Sequence, residues 1–192
     1  MPHLCLVYQD VGDGREYVIT ITGEQKTPAP WCNVLANPQF GCLVSESSLG
    51  CTWSVNSHEN RLTPWNNDPV ADTPGEALYL RDEETAEMWT PTPLPAGRGV
   101  CHIRHGAGYT KWSGCSQGIE HELLVFVPVD DPVKVVRLRL HNLLPRARRV
   151  TATYYAEWLL GALPSRSRPF VVCGYDAACH GCAGHGPSGP GG

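Results

Sequence analysis

The chain has 192 residues, 18% of them charged, with a formal net charge of −4 and a pI near 6.0. That length suits one domain of ordinary size with room for a core, and the mild acidity removes the electrostatic case for a nucleic-acid partner. No apolar run reaches the roughly 18 residues that a membrane-spanning helix needs.

The N-terminus, MPHLCLVYQDVGDGR, lacks a basic segment followed by an apolar one. No signal peptide is therefore expected, and the cytoplasm is the expected compartment. There, the nine cysteines are expected as free thiols. Residues 1–14 carry no periodic pattern and read as an N-terminal extension. Next, 16–22 (EYVITIT) places Tyr17, Ile19 and Ile21 on one face and Val18, Thr20 and Thr22 on the other, which is strand period. Segments 40–47 and 50–56 read as short strands separated by Ser-Leu-Gly, and 77–81 and 86–90 flank Asp82–Thr85 as a hairpin. Pro91, Pro93 and Pro95 then end any ladder, since proline has no N–H to give.

Three more strands are predicted over 99–105, 109–113 and 118–127, with one turn marked by Gly106 and Gly108 and another by Gly114. Segment 133–141 turns Val136, Leu138 and Leu140 one way and Arg137 and Arg139 the other; 150–160 alternates as well. Between them, NLLPRARR (142–149) reads as a solvated basic turn. No window of 11 or more residues shows a helical apolar stripe, and there is no internal repeat. Short alternating strands with frequent turn signals predict an all-β antiparallel sandwich over 15–176. Residues 177–192 (AACHGCAGHGPSGPGG) offer almost nothing to a core and read as a disordered low-complexity tail.

The densest chemistry lies in WSVNSHENRLTPWNNDPVADTPGE (53–76). Indole faces suit the C–H side of a pyranose, while amides, carboxylates and guanidinium suit its hydroxyls. Trp53, Asn56, Glu59, Asn60, Arg61, Trp65, Asn67 and Asp68 are the candidate substrate-binding residues. The competing reading makes Trp53 and Trp65 core or interface aromatics and the Asn and Asp residues formers of Asx-turns. Acid–base work would draw on Glu46, Glu59, Asp68, Asp72 and Glu76, because inverting hydrolysis needs an acid and a base while phosphorolysis needs only the acid. The tail carries Cys179, His180, Cys182 and His185, with Cys173 nearby, but has no second well-spaced pair. Cys101 and His105 share a strand face and read as a core thiol and a surface imidazole. Neither metal nor cofactor is expected. No G-x-S-x-G elbow or phosphate loop is present.

Five stretches, 27–47 (TPAPWCNVLANPQFGCLVSES), 53–76, 74–95 (PGEALYLRDEETAEMWTPTPLP), 126–142 (FVPVDDPVKVVRLRLHN) and 154–161 (YYAEWLLG), give the chain a specific resemblance. It resembles the glycoside phosphorylase family that includes cellobiose phosphorylase, and in particular the phosphorylase-like region of cyclic β-1,2-glucan synthase. The resemblance covers most of 15–172 in family order. It implies a galactose-mutarotase-like supersandwich followed, in the family, by an (α/α)6 barrel that holds the catalytic acid. None of the five carboxylates then inherits that role, and no residue of this chain is expected to be catalytic. The implied partners are a β-glucan oligosaccharide, the barrel of a parent protein and a second copy of the chain; the parent is a candidate for inner-membrane association. The change of character after about Asp176 is what a truncation or a shifted reading frame would produce. Cys32, Cys42, Cys51 and Cys115 stand where the family would place larger core residues, an expected cost of ~1–3 kcal/mol each. The alternative functional reading is a purely structural or dimerisation domain without a ligand. A third, a complete enzyme using Glu59 and Asp68, needs those carboxylates about 5–9.5 Å apart in a pocket.

Overall fold

The period-2 alternation becomes pleated strands whose apolar positions share one face. In the computed structural model, residues 14–23, 25–178 and 181–185 are described in full, and Gln9–Asp10 by backbone alone. Most of the expected N-terminal extension, together with 179–180 and 186–192 of the tail, lies outside the described residues.

Six strands form the larger sheet: β1 (Gln9–Asp10), β2 (Glu16–Thr22), β8 (Val100–Gly106), β9 (Tyr109–Ser116), β10 (Ile119–Phe126) and β11 (Val135–Asn142). Their order is β1-β2-β8-β9-β10-β11, with antiparallel neighbours throughout. β3 (Cys32–Ala36), β4 (Phe40–Ser45) and β5 (Cys51–Ser54) make one three-stranded sheet. β6 (Glu76–Asp82), β7 (Met88–Trp89) and β12 (Val150–Ala156) make another, in the order β12-β6-β7. A short helical turn, α1 (Pro164–Ser167), precedes the hairpin of β13 (Val172–Asp176) and β14 (Gly181–His185).

The core lies between the six-stranded layer and the two smaller sheets. Ile19, Ile21, Ile103, Trp112, Leu123 and Val125 from the large layer cluster with Leu35, Cys42, Val44, Leu49 and Leu78. The Trp112 indole N–H donates to the Glu46 carbonyl at 2.8 Å, so this large buried ring carries no unsatisfied donor. A second cluster joins Leu80, Trp89 and Ile119.

Several sequence expectations are corrected here. The sequence reading held no strand over 32–36, yet that segment pairs with β4. Gly114 is not a turn. It sits inside β9 opposite Cys101 and His121, where a Cβ would come within 2.6 Å of the Val100 carbonyl oxygen. The β9–β10 turn is Gln117–Gly118, both with positive φ, the twist a two-residue hairpin loop needs. Residues 151–155 of β12 are all exposed, yet the alternation holds on the inner side, where Tyr154 turns its hydroxyl to Glu76. Within NLLPRARR, Arg148 is buried rather than solvated: its guanidinium grips Asp82, with Nε at 2.9 Å, and closes the β6–β7 hairpin against the β11–β12 loop. Of the four cysteines read as core sites, Cys42 and Cys51 are buried, whereas Cys32 and Cys115 are exposed and leave no core volume to fill. Gly181–His185, inside the segment expected to be disordered, pairs as β14.

Gly50 joins β4 to β5 with φ +61, and a Cβ there would fall 1.9 Å from the Leu43 carbonyl oxygen. Gly50→Ala is expected to destabilise the chain by about 2–4 kcal/mol, backbone strain and overpacking together. Gly108→Ala, at φ +87 but in open space, is expected to cost only about 1–2 kcal/mol. Urea unfolding of the two variants checks the difference; equal costs would show that the Leu43 carbonyl gives way freely.

Candidate functional site

The 53–76 loop leaves β5 through a backbone outlier. Val55 has φ +62, and the Asn56 N–H donates back to the Ser54 carbonyl at 2.6 Å, a γ-turn in a conformation that a β-branched residue rarely takes. The Asn56 side-chain oxygen then accepts from the His58 and Glu59 N–H groups at 2.8 and 2.9 Å. Ser54 N–H reaches the Asn60 carbonyl at 3.1 Å and closes the loop. Beyond it, Arg61 bridges both Trp53 and Gly161. Leu62 N–H donates to the Thr52 carbonyl at 2.9 Å, and Leu159 N–H to the Leu62 carbonyl at 2.8 Å. An extended piece of loop is thus held between β5 and residues 159–161, which sets where its side chains point.

Trp53, Arg61 and Trp65 line one cleft of about 400 Å³, together with Val34, Ser57 and His58. The Trp53 indole lies close over Gly41, where a Cβ would sit 2.4 Å from its ring. Arg61 Nε donates to the Ser57 carbonyl at 3.0 Å; no carboxylate among the described residues pairs with its guanidinium. The other candidates do not line the cleft. Asn56 and Asp68 use a side-chain oxygen in turns, Asp68 accepting from the Val70 and Ala71 N–H groups at 2.9 and 3.1 Å. Those N–H groups, Ala71 first, hold the Asp68 carboxyl below its usual range. Glu59 pairs with His58 at 2.6 Å in solvent, and Asn60 and Asn67 are exposed.

The remaining carboxylates are internal. Glu46 accepts from Thr27 Oγ1, from Trp31 N–H at 2.6 Å and from Ser47 Oγ at 3.2 Å; Asp72 accepts from Ser45 Oγ at 2.5 Å. Burial pushes both upward in pKa.

Glu76 belongs to a site that sequence reasoning missed. It is 3% exposed and accepts from Thr52 Oγ1 at 2.5 Å, Thr63 Oγ1 at 2.6 Å, Lys134 Nζ at 2.7 Å and the Tyr154 hydroxyl. Lys134 Nζ donates as well to the Leu49 carbonyl at 2.9 Å. Burial alone would raise the Glu76 carboxyl, but the Lys134 charge, then its N–H and the two threonine hydroxyls, outweigh it and leave the group below its usual value. The Tyr154 phenol is pushed up, by burial first and the Glu76 charge second, and so remains a donor. The signal in the sequence was a single charge set in each of two apolar runs, Glu76 before ALYL and Lys134 between Val133 and Val135. This group floors a cavity of about 460 Å³ between β5, β6, β12 and the lead into β11. Among the described residues, no three His, Cys, Asp or Glu side chains come together as a metal site.

The family profile described as "Glycosyl hydrolase 94, supersandwich domain" matches residues 15–187. The cyclic β-(1,2)-glucan synthase NdvB of Rhizobium meliloti (strain 1021) is 40% identical over 166 residues, 85% of this chain but 6% of that protein. An N,N′-diacetylchitobiose phosphorylase of Vibrio furnissii is 29% identical over 169 residues, 86% of this chain and 21% of that protein. For a solabiose phosphorylase of Paenibacillus borealis the figures are 30% over 169 residues, 85% and 22%. The chain therefore spans less than a quarter of the length of each of these relatives.

The carboxylates predict an acid limb of stability. Asp82 is held at about 2, by Arg148 first and then by the Glu84 N–H, and Glu76 also lies below its usual value. Both bind protons less readily folded than unfolded, so their stabilisation is present above the unfolded pKa, about 4, and is lost as pH falls toward the folded values. Glu46 and Asp72 act with the opposite sign: their contribution is full below about 4 and lost as pH rises through their raised values. Urea unfolding across pH is expected to show a decline below about 4 that flattens in Asp82→Asn. An unchanged limb in that variant would refute the assignment.

Proposed function

This chain belongs to the glycosyl hydrolase 94 supersandwich family, and from that premise we propose that it is a non-catalytic, carbohydrate-facing domain. Its Trp53–Arg61–Trp65 cleft borders the sugar site of a larger protein, and the apolar rim of the same loop packs on an (α/α)6 catalytic barrel. The observation that carries this reading is the convergence of two indoles and an arginine without a carboxylate partner in one cleft. Indole faces take the C–H side of a sugar ring, and a guanidinium fork takes paired oxygens of hydroxyls or phosphate. The left-handed Val55 adds support, because strained backbone persists only where the surroundings over-determine it and gathers at functional sites. The names of the relatives are consistent with it: one is a glucan synthase, the others phosphorylases of chitobiose and solabiose.

Packing on a neighbour is supported by Val34, Val55 and Val70, which are 58%, 73% and 78% exposed around the loop. Those same side chains favour the second reading, a purely structural or dimerisation domain that binds no sugar.

Titration with β-1,2- and β-1,4-gluco-oligosaccharides, followed by tryptophan fluorescence, separates the two. Saturable quenching is expected, weakened about tenfold or more in Trp65→Ala and Arg61→Ala. A flat titration of the folded chain would reject sugar binding by the isolated loop and leave the docking reading.

A further inference from the structure

We propose that the cavity over the Glu76–Lys134 pair is a second binding site, distinct from the Trp53–Trp65 cleft, for a neutral polyhydroxylated ring of the pyranoside or cyclitol class. At about 460 Å³ it falls in the range of small-molecule pockets, ~300–1,000 Å³. Its walls are largely apolar and include Phe40, Leu62, Val136 and Trp158, which suit the C–H face of a ring. Gly184 of β14 lies against the Trp158 indole, where a Cβ would be 3.0 Å away, and steadies that wall.

The floor selects the ligand chemistry. A hydroxyl has one proton and two lone pairs. Thr52, Thr63 and Tyr154 all give their proton to Glu76, so each shows only acceptor capacity to anything else; Thr63 Oγ1 already uses one lone pair on the Thr52 N–H at 2.8 Å and keeps the other. Lys134, 6% exposed at its side chain, has three N–H groups. Leu49 and Glu76 take two of them, and the third has no acceptor among the described residues. Three acceptors beside one donor match a polyol, whose hydroxyls both give and receive. Glu76 and Lys134 neutralise each other, so the floor offers no net charge to attract an ion. An isolated buried ion pair adds little net stability compared with apolar packing; beneath an open cavity it serves as a rigid polar template.

The two sites lie back to back. Thr52 and Trp53 are neighbours on β5 and face opposite sides of the sheet, Thr52 into this cavity and Trp53 into the loop cleft. The two sites share no lining residue, and the proposal does not rest on the sugar-facing reading of the loop.

The test is an amide-resolved NMR titration of the chain with methyl β-glucoside and with myo-inositol as probes; glucose 1-phosphate and glucosamine serve as anionic and cationic comparators. Saturable shifts are expected at Thr52, Thr63, Glu76, Lys134 and Tyr154 with the neutral probes. Binding by only one of the two neutral probes names which source of the polyol is used. Tyr154→Phe keeps the ring and the ion pair, and is expected to weaken binding about five- to tenfold. Ala156→Trp puts a large ring on the cavity lining and is expected to abolish it, while its spectrum reports whether the fold is intact. Absent shifts at these amides, unchanged binding in a folded Ala156→Trp, or tighter binding of a charged comparator would overturn the proposal. Shifts at both sites that vanish together in Trp65→Ala would also overturn it, by showing a single site.

Discussion

The structure depends on one buried carboxylate. Glu76 takes hydrogen bonds from Thr52 on β5, Thr63 in the loop, Lys134 at the lead into β11 and Tyr154 on β12. Those four donors come from both layers of the sandwich. An ionised carboxylate out of water costs several kcal/mol unless its oxygens are satisfied. Satisfying them here requires all four segments in register at once, so the charge acts as a constraint on assembly more than as a source of net stability.

The loop inherits its geometry from the same place. Thr52 and Thr63 bracket the piece of chain that contains Arg61, and the backbone of Thr52 accepts from Leu62. With 61–63 held between β5 and 159–161, Trp53 and Arg61 are set on the outer side of the sheet and Thr52 and Thr63 on the inner side. The outer cleft and the inner cavity are therefore two faces of one anchored segment. The γ-turn at Val55 and the Asx-turns at Asn56 and Asp68 satisfy part of the backbone of the polar loop that covers that segment.

Most strands were legible because their signal is local. Glu16–Thr22 was read to the residue, and 133–141 was read with the inward Val136 and Leu138 in the right phase. The misreadings share a cause, in that each depends on a neighbour distant in sequence. Gly114 looks like a turn residue until Val100 is brought against it. Arg148 looks solvated until Asp82 lies opposite. Cys32 and Cys115 matched core positions by resemblance but face outward here. In the loop, the palette of residues was legible, whereas the choice of Trp53, Arg61 and Trp65 over their polar neighbours was not. Asn56 and Asp68 have the same chemistry whether they bind a ligand or close a turn.

By itself the sequence determined the all-β class, the place of most strands, the family and the loop where aromatic and polar side chains concentrate. These rest on period, turn residues and contiguous motifs, all of which are local along the chain. Only the tertiary structure decided which side chains meet. Glu76 reaches Lys134 across 58 residues and Tyr154 across 78. Those distances are closed by strand register and sheet order, which are set by the burial of the whole core and by no short stretch of the chain.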